Sequence, residues 1–272
     1  MSPFQAILDY EISQGIPPGY VNATIQAHSP KGSWQRLERG EVSLAGTFFE
    51  EFGRELSSPS HWKAYCEKLP SRGERGEYAL KLLRERYGVH SDGKTPNLPP
   101  IDARKMFWNM MRMSRQPDPY VFPALLKLRE SGKFVVAALS NTIDFPRGIR
   151  DETGTPFGHE AVSATGEKVG DIRSFFDTFV SSAHTGMRKP ETRIYELALQ
   201  ECSRVAKEKG LSNDLQMGDI LFLDDIGINL KIAKQLGMGT IKVNLGKSKD
   251  AVKELEQAVG MRLIDEDGSS RL

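Results

Sequence analysis

Ile220-Leu221-Phe222-Leu223-Asp224-Asp225-Ile226-Gly227-Ile228-Asn229 runs four apolar residues, without alternation, straight into two carboxylates. An unbroken apolar run of this length suits a parallel strand covered on both faces. Two carboxylates at its end are costly unless they are paired or bound to a cation. Gly227 permits a tight turn after the strand, and Asn229 is placed to orient an aspartate.

Three further stretches read as strands. They are Phe134-Val135-Val136-Ala137-Ala138-Leu139, then Phe179-Val180 with its neighbours, then Thr240-Ile241-Lys242-Val243. Helical segments near 120–130, 191–209 and 228–236 alternate with them. Strands alternating with helices imply a parallel sheet wrapped on both faces. Residues 147–173 are rich in Gly, Thr and charge, and read as an exposed loop or insertion.

Before this α/β block the chain reads as helical. Phe4, Ile7, Leu8 and Ile12 fall at helical spacing, Ser2-Pro3 suits an N-cap followed by proline at the first helical position, and Gly15 suits the stop. On such a helix Asp9 and Glu11 read as solvated. Pro17-Pro18-Gly19 then enforces a turn. From Val21 to about Arg112 the pattern stays helical, with residues 88–100 as a polar, turn-rich connector. Trp34, Trp62 and Trp108 read as core residues.

The composition sets bounds on function. The chain has 272 residues, 39% apolar and 27% charged, with 37 basic against 36 acidic side chains. That is one to two domains at roughly 150 residues each. The charge balance argues against a nucleic-acid surface. No apolar run is long enough for a membrane span, no secretory signal is visible at Met1-Ser2-Pro3-Phe4, and a cytoplasmic protein is expected. Cys66 and Cys202, the only cysteines, read as free buried thiols.

Two more segments after predicted strands carry chemistry, and ligands bind outside the carboxyl ends of strands in open α/β sheets. Ser140-Asn141-Thr142 offers a hydroxyl and an amide to an oxyanion, or alternatively a helix N-cap. Gly186-Met187-Arg188-Lys189-Pro190 holds Lys189 just before a proline, which disfavours helix at the lysine. A lysine so held offers a fixed charge to a phosphate or carboxylate, or is a solvated surface lysine. For Asp224 and Asp225, oxygen ligands of this kind suit Mg²⁺ shared with a substrate phosphate.

Taken in order, these motifs resemble the haloacid dehalogenase-like (HAD) hydrolase superfamily, in the branch containing the N-terminal phosphatase domain of soluble epoxide hydrolase. Leu139-Ser140-Asn141-Thr142 is similar to the family's second motif. Gly186 to Glu191 with Arg193-Ile194-Tyr195 is similar to the third, and Phe222 to Leu230 to the fourth. Gly15 to Tyr20 and Arg36-Leu37-Glu38-Arg39-Gly40-Glu41 resemble the helical cap of the same branch. The resemblance implies a Rossmann-like α/β core with a parallel sheet plus an α-helical cap. It divides the chain into a core–cap connection at 1–14, a cap at 15–112, a core at 113–265 and a tail at 266–272.

The same resemblance implies roles. Ser140 and Asn141 bind the transferring group, and Lys189 holds the phosphate. Asp225 is the direct Mg²⁺ ligand, Asp224 supports the site, and Asn229 stands behind it. The implied reaction is Mg²⁺-dependent hydrolysis of a small organic phosphate ester through an aspartyl phosphate. Rival readings are a 2-haloacid dehalogenase, an isoprenoid-diphosphate-processing relative, and a catalytically inactive binding or regulatory protein. No nucleic-acid or membrane partner is expected, and the sequence leaves oligomeric state open, a homodimer included.

The family's first motif, an apolar strand ending in Asp-x-Asp or Asp-x-Gly, has no counterpart in this sequence, so no nucleophile is assigned. Asp9 does not replace it, because its helical spacing and its distance to Gly15 place it after the motif. One expectation is that the sequence is an incomplete reading of a normal enzyme. The other is a degenerate, non-catalytic member. In the family's fold the missing strand would lie centrally, between those read here at 134–139 and 220–225. The sheet is therefore expected to close the gap, recruit another segment or be unstable.

Overall fold

A computed structural model describes residues 2–163 and 165–264, so the tail expected at 266–272 lies outside the described residues. Helix α1 (Phe4–Gln14) ends where the sequence places its stop. Gly15 takes a left-handed φ of 64°, and its N–H returns to the carbonyls of Glu11 and Ile12, the usual glycine-terminated helix end. At the other end Pro3, not Ser2, occupies the N-cap position. The Ser2 hydroxyl is instead directed to Asp225, to which it donates at 2.7 Å.

Glu11, expected in solvent, is only 1% exposed. The turn through Pro17-Pro18-Gly19 folds α2 (Tyr20–Ala27) back over α1, and the first amides of a helix have no acceptor within it. The Glu11 carboxylate supplies one, accepting from Gly19 N–H at 2.7 Å and Val21 N–H at 2.8 Å. Burial pushes its pKa up in spite of these bonds. The helical period alone could not show this, because the acceptor is demanded by a neighbouring element.

Helices α3 (Ser33–Glu38), α4 (Gly46–Leu56), α5 (Pro59–Lys68), α6 (Glu74–Tyr87) and α7 (Ala103–Ser114) complete the helical block. With α1 and α2 they enclose one apolar cluster built on Tyr20, Phe48, Phe52, Phe107 and Trp108. Trp62 and Trp108 are buried and Trp34 packs against the cluster, as expected of core residues.

The α/β block follows in the order α8 (Val121–Glu130), β1 (Ala137–Ser140), β2 (Glu160–Val162), β3 (Lys168–Asp171), β4 (Thr178–Ser181), α9 (Ser182–Thr185), α10 (Thr192–Glu208), β5 (Leu221–Asp224), α11 (Gly227–Gln235), β6 (Gly239–Lys242) and α12 (Ser248–Val259). Strand β1 pairs in parallel with β4, from Ala137 opposite Thr178 to Ser140 opposite Ser181. Strand β5 pairs in parallel with β6, from Leu221 opposite Gly239 to Asp224 opposite Lys242. The segment expected as a loop at 147–173 contains the antiparallel hairpin of β2 and β3. Its strands are too short, and too polar, to register as apolar alternation.

The two parallel pairs share apolar clusters on both faces. Phe222 packs with Leu139, Val180, Tyr195 and Ala233, under α10 and α11. Leu221 and Leu223 pack with Val136, Leu128 and Val252, under α8 and α12. That alternation along β5 is the strand period of two. Among the described residues no ladder joins β1 to β5. The gap expected from the sequence is therefore neither closed by direct pairing nor filled by another strand. Leu139, Leu221 and Leu223 are only partly buried.

Asp177 ties the entry to this layer. It takes Lys209 Nζ at 2.6 Å, Arg129 Nε at 3.3 Å and the Val136 N–H at 2.9 Å, so α8, α10 and the approaches to β1 and β4 meet at one carboxylate. Cys66 and Cys202 are buried and free. Among the described residues no helix is long and apolar enough to cross a membrane.

Candidate active site

The site forms where β1, β5 and the segment before α10 converge. Asn141 follows the last residue of β1. Its Oδ1 accepts the Lys189 N–H at 2.8 Å, and its Nδ2 donates to the Lys189 carbonyl at 3.1 Å. These two bonds fix the main chain of residue 189 against the end of β1. Pro190 and the start of α10 at Thr192 keep the same residue out of helix.

The lysine side chain then runs into the molecule. Lys189 Nζ donates to Asp224 Oδ2 at 2.6 Å and lies 5.2 Å from the centroid of the Phe222 ring. Both partners are buried, with side chains 11% and 4% exposed. Asn229, in the first turn of α11 and 2% exposed, donates Nδ2 to both Asp224 oxygens at 3.2 and 3.3 Å. The Ile226 N–H adds a bond of 2.7 Å to Asp224 Oδ1. Tyr195 O–H donates to the Asn229 carbonyl at 3.1 Å, and burial pushes the phenol pKa up. Every strong acceptor direction of Asp224 is thus used, and its charge is matched by one ammonium.

Of the residues singled out in the sequence, Asn141, Lys189, Asp224 and Asn229 form one connected network. Ser140 lies beside it, partly buried, in register with Ser181 on β4. Asp225 stands outside it, partly buried, and takes the Ser2 hydroxyl. The Asn141 amide is committed to the main chain of Lys189, so its observed work is to position that residue.

Two further contacts went unread in the sequence. Arg188, next to Lys189, donates Nε to Glu38 Oε2 of α3 at 2.8 Å, and its Nη2 lies 2.7 Å from the same oxygen in an ion pair. Burial pushes the Glu38 pKa up, and Arg188 opposes that shift. Beside this pair Gly40, at φ 68°, comes so close to the Ala183 carbonyl that a Cβ would sit 2.5 Å from it. Nothing in the spacing of Arg36 to Glu41 names a partner 150 residues away. The second contact is Thr142, whose N–H donates to Ser182 Oγ at 2.9 Å.

Among the described residues no three His, Cys, Asp or Glu side chains stand together as a metal cage. Mg²⁺ needs only one or two protein carboxylates when a phosphate and water complete its shell. Asp224 is saturated, whereas among the described residues Asp225 takes only the Ser2 hydroxyl. That donor set would suit a Mg²⁺ shared with a phosphate through Asp225.

This fold, with its motif order, defines a protein that resembles the HAD-like hydrolases, in the branch of the bifunctional epoxide hydrolases. No family model matches the chain. The sequence is 27% identical over 262 residues to acyl-CoA dehydrogenase family member 10 of Mus musculus, covering 96% of this chain and 18% of that protein. It is 25% identical over 250 residues to bifunctional epoxide hydrolase 2 of Mus musculus, covering 92% of this chain and 35% of that protein. The chain thus spans about a third or less of the length of these curated relatives. Among solved structures, a HAD family enzyme from Bacteroides thetaiotaomicron in complex with magnesium and inorganic phosphate is 19% identical, with a TM-score of 0.40 and coverage of 87% of this chain and 86% of that one. A predicted HAD-like family hydrolase from Porphyromonas gingivalis is also 19% identical, with a TM-score of 0.42 and coverage of 93% and 86%.

Proposed function

We propose that this protein binds a small organic phosphate at the C-terminal ends of β1 and β5 and serves Mg²⁺-dependent phosphate-ester hydrolysis. The observation that carries the reading is the buried Lys189–Asp224 pair, locked to the end of β1 by Asn141. A fixed ammonium in a site of low dielectric stabilises developing charge on phosphoryl oxygens without reorganising. Lys189 supplies that charge, Asp224 and Asn229 hold it in place, and Ser140 offers a hydroxyl at the same strand end. Mg²⁺ held at Asp225 would add charge neutralisation on the phosphate.

In the reaction the resemblance implies, an aspartate carboxylate attacks phosphorus, the alcohol leaves, and water hydrolyses the acyl phosphate. Asp224 is unsuited to that attack, because both its oxygens are hydrogen-bonded and its charge is taken by Lys189. This favours a second reading, in which the described residues bind phosphate without turning it over. The test is phosphate release from a panel of small phosphate monoesters by the purified 272-residue chain, with MgCl₂ or with EDTA. Mg²⁺-dependent release that falls in Asp225→Asn supports hydrolysis. Saturable phosphate binding with no release supports the second reading. Neither release nor binding contradicts both.

A further inference from the structure

A cavity of about 380 Å³ lies along β4, lined also by Thr142 after β1 and by residues of α9, α10 and the segments flanking the β2–β3 hairpin. Its size is within the range of small-molecule sites. Phe179, Leu197 and Ile172 give it apolar walls, and Ser181 and Thr185 add hydroxyls. Three basic side chains also line it, namely His159, Arg173 and His184. They are near enough that His159 feels the charge of both others.

Each of the three has a nitrogen that no described residue engages. Arg173 gives Nε and Nη2 to Asp171, and its Nη1 makes no hydrogen bond to any described residue. His184 uses Nδ1 on Ser181 Oγ at 2.9 Å, which leaves Nε2. The His159 ring is partly buried, contacts the Phe145 ring edge to face, and takes no hydrogen bond from a described residue. Burial, then Arg173, pushes its pKa down, the state an anion in the cavity would relieve. Glu201 also lines the cavity, but it is engaged by Arg204 at 3.1 Å.

We infer that this cavity is a second binding site, for a small organic carboxylate with an apolar body. Arg173 is ion-paired with Asp171, which cancels its formal charge, so the cavity offers free donors with little net charge and suits a single carboxylate better than a doubly charged phosphate. The apolar walls seat the body, and Arg173 Nη1 with the two imidazoles meets the carboxylate. The inference does not rest on the reading given for the Lys189 network, although Thr142, next to Asn141, also lines the cavity.

The test uses the full chain, with benzoate as the probe and benzamide as its neutral counterpart. Binding is followed by NMR at the His159 ring and the Val180 amide, and by calorimetry. Benzoate is expected to shift both signals saturably and to bind at least tenfold more tightly than benzamide. Arg173→Gln is expected to weaken benzoate at least tenfold, and Leu197→Trp, which fills the cavity, to abolish it. Inorganic phosphate binding should stay unchanged in both variants. The inference is overturned if benzoate leaves His159 unmoved, if benzamide binds equally well, or if Arg173→Gln binds benzoate like the parent. Because Arg173 is on the surface, its variant decides the matter should the tryptophan variant fail to fold.

Discussion

Lys189 Nζ lies 2.6 Å from Asp224 Oδ2, and together they form a buried ion pair that joins the segment before α10 to the end of β5. The pair belongs to two different strand–helix units, so it is an element of the fold as well as of the site. Removing one partner leaves a buried charge uncompensated, at a cost of about 3–5 kcal/mol. Lys189→Met is expected to lose stability on that scale in urea denaturation. Adding Asp224→Leu to Lys189→Met should recover part of it, because the unpaired charge is removed while the Ile226 N–H and Asn229 Nδ2 lose their acceptor. A double variant less stable than either single one would contradict this account.

Asn141 acts on Lys189 through the main chain. Asn141→Ala removes two hydrogen bonds, each worth about 0.5–1.5 kcal/mol. The expected loss is about 1–3 kcal/mol in denaturant. Inorganic phosphate affinity should fall with it, since the lysine then loses its fixed position. Unchanged affinity in a destabilised protein would separate Asn141 from binding.

Asp177 predicts an acid-sensitive step. Burial opposes its charge, but Lys209, the Val136 N–H and Arg129 outweigh burial and hold its pKa below the usual value. A carboxylate with a depressed folded pKa contributes stability above its unfolded value of about 3.9. That contribution is lost as pH falls through the lower, folded value. Asp177→Asn should therefore be less stable at pH 6, and the difference from the parent should shrink as pH drops from about 4 to 2. A gap that stays constant over that window would remove Asp177 from the acid response.

Glu38 has the opposite sign. Burial raises its folded pKa, and Arg188 only partly offsets this. Its favourable contribution is fully present below the unfolded value of about 4.3 and is lost as pH rises through the folded one. The stability of Glu38→Gln relative to the parent should accordingly improve as pH rises above about 4.3. Thermal unfolding of both proteins from pH 4 to 8 reads this directly, and a difference independent of pH would contradict it.

The parallel strands of the α/β block were legible as apolar runs bounded by polar residues. The runs read at 134–139 and 220–223 correspond to β1 and β5, displaced by a residue or more toward their polar ends. The displacement has a physical cause: pairing continues through Ser140 and Asp224, which composition assigns to the following turn. The first helix was legible from its period and from Gly15. Glu11 was not, because its burial depends on amides of α2 brought back by a turn. The hairpin of β2 and β3 was hidden by short polar strands. At the site, the residue types and their order were readable. That Asp224 is saturated while Asp225 is not, and that Asn141 grips a main chain, follow only from three-dimensional placement.

The central claim is that Lys189 and its supports form a phosphate site, and an NMR titration of the full chain with inorganic phosphate tests it most directly. The account predicts saturable shifts at the Lys189 amide and the Asn141 side-chain amide, enhanced by Mg²⁺. Those shifts should be absent from the Lys189→Met, Asp224→Leu double variant. Signals that stay in place as phosphate is raised, or that move equally in the double variant, would contradict it.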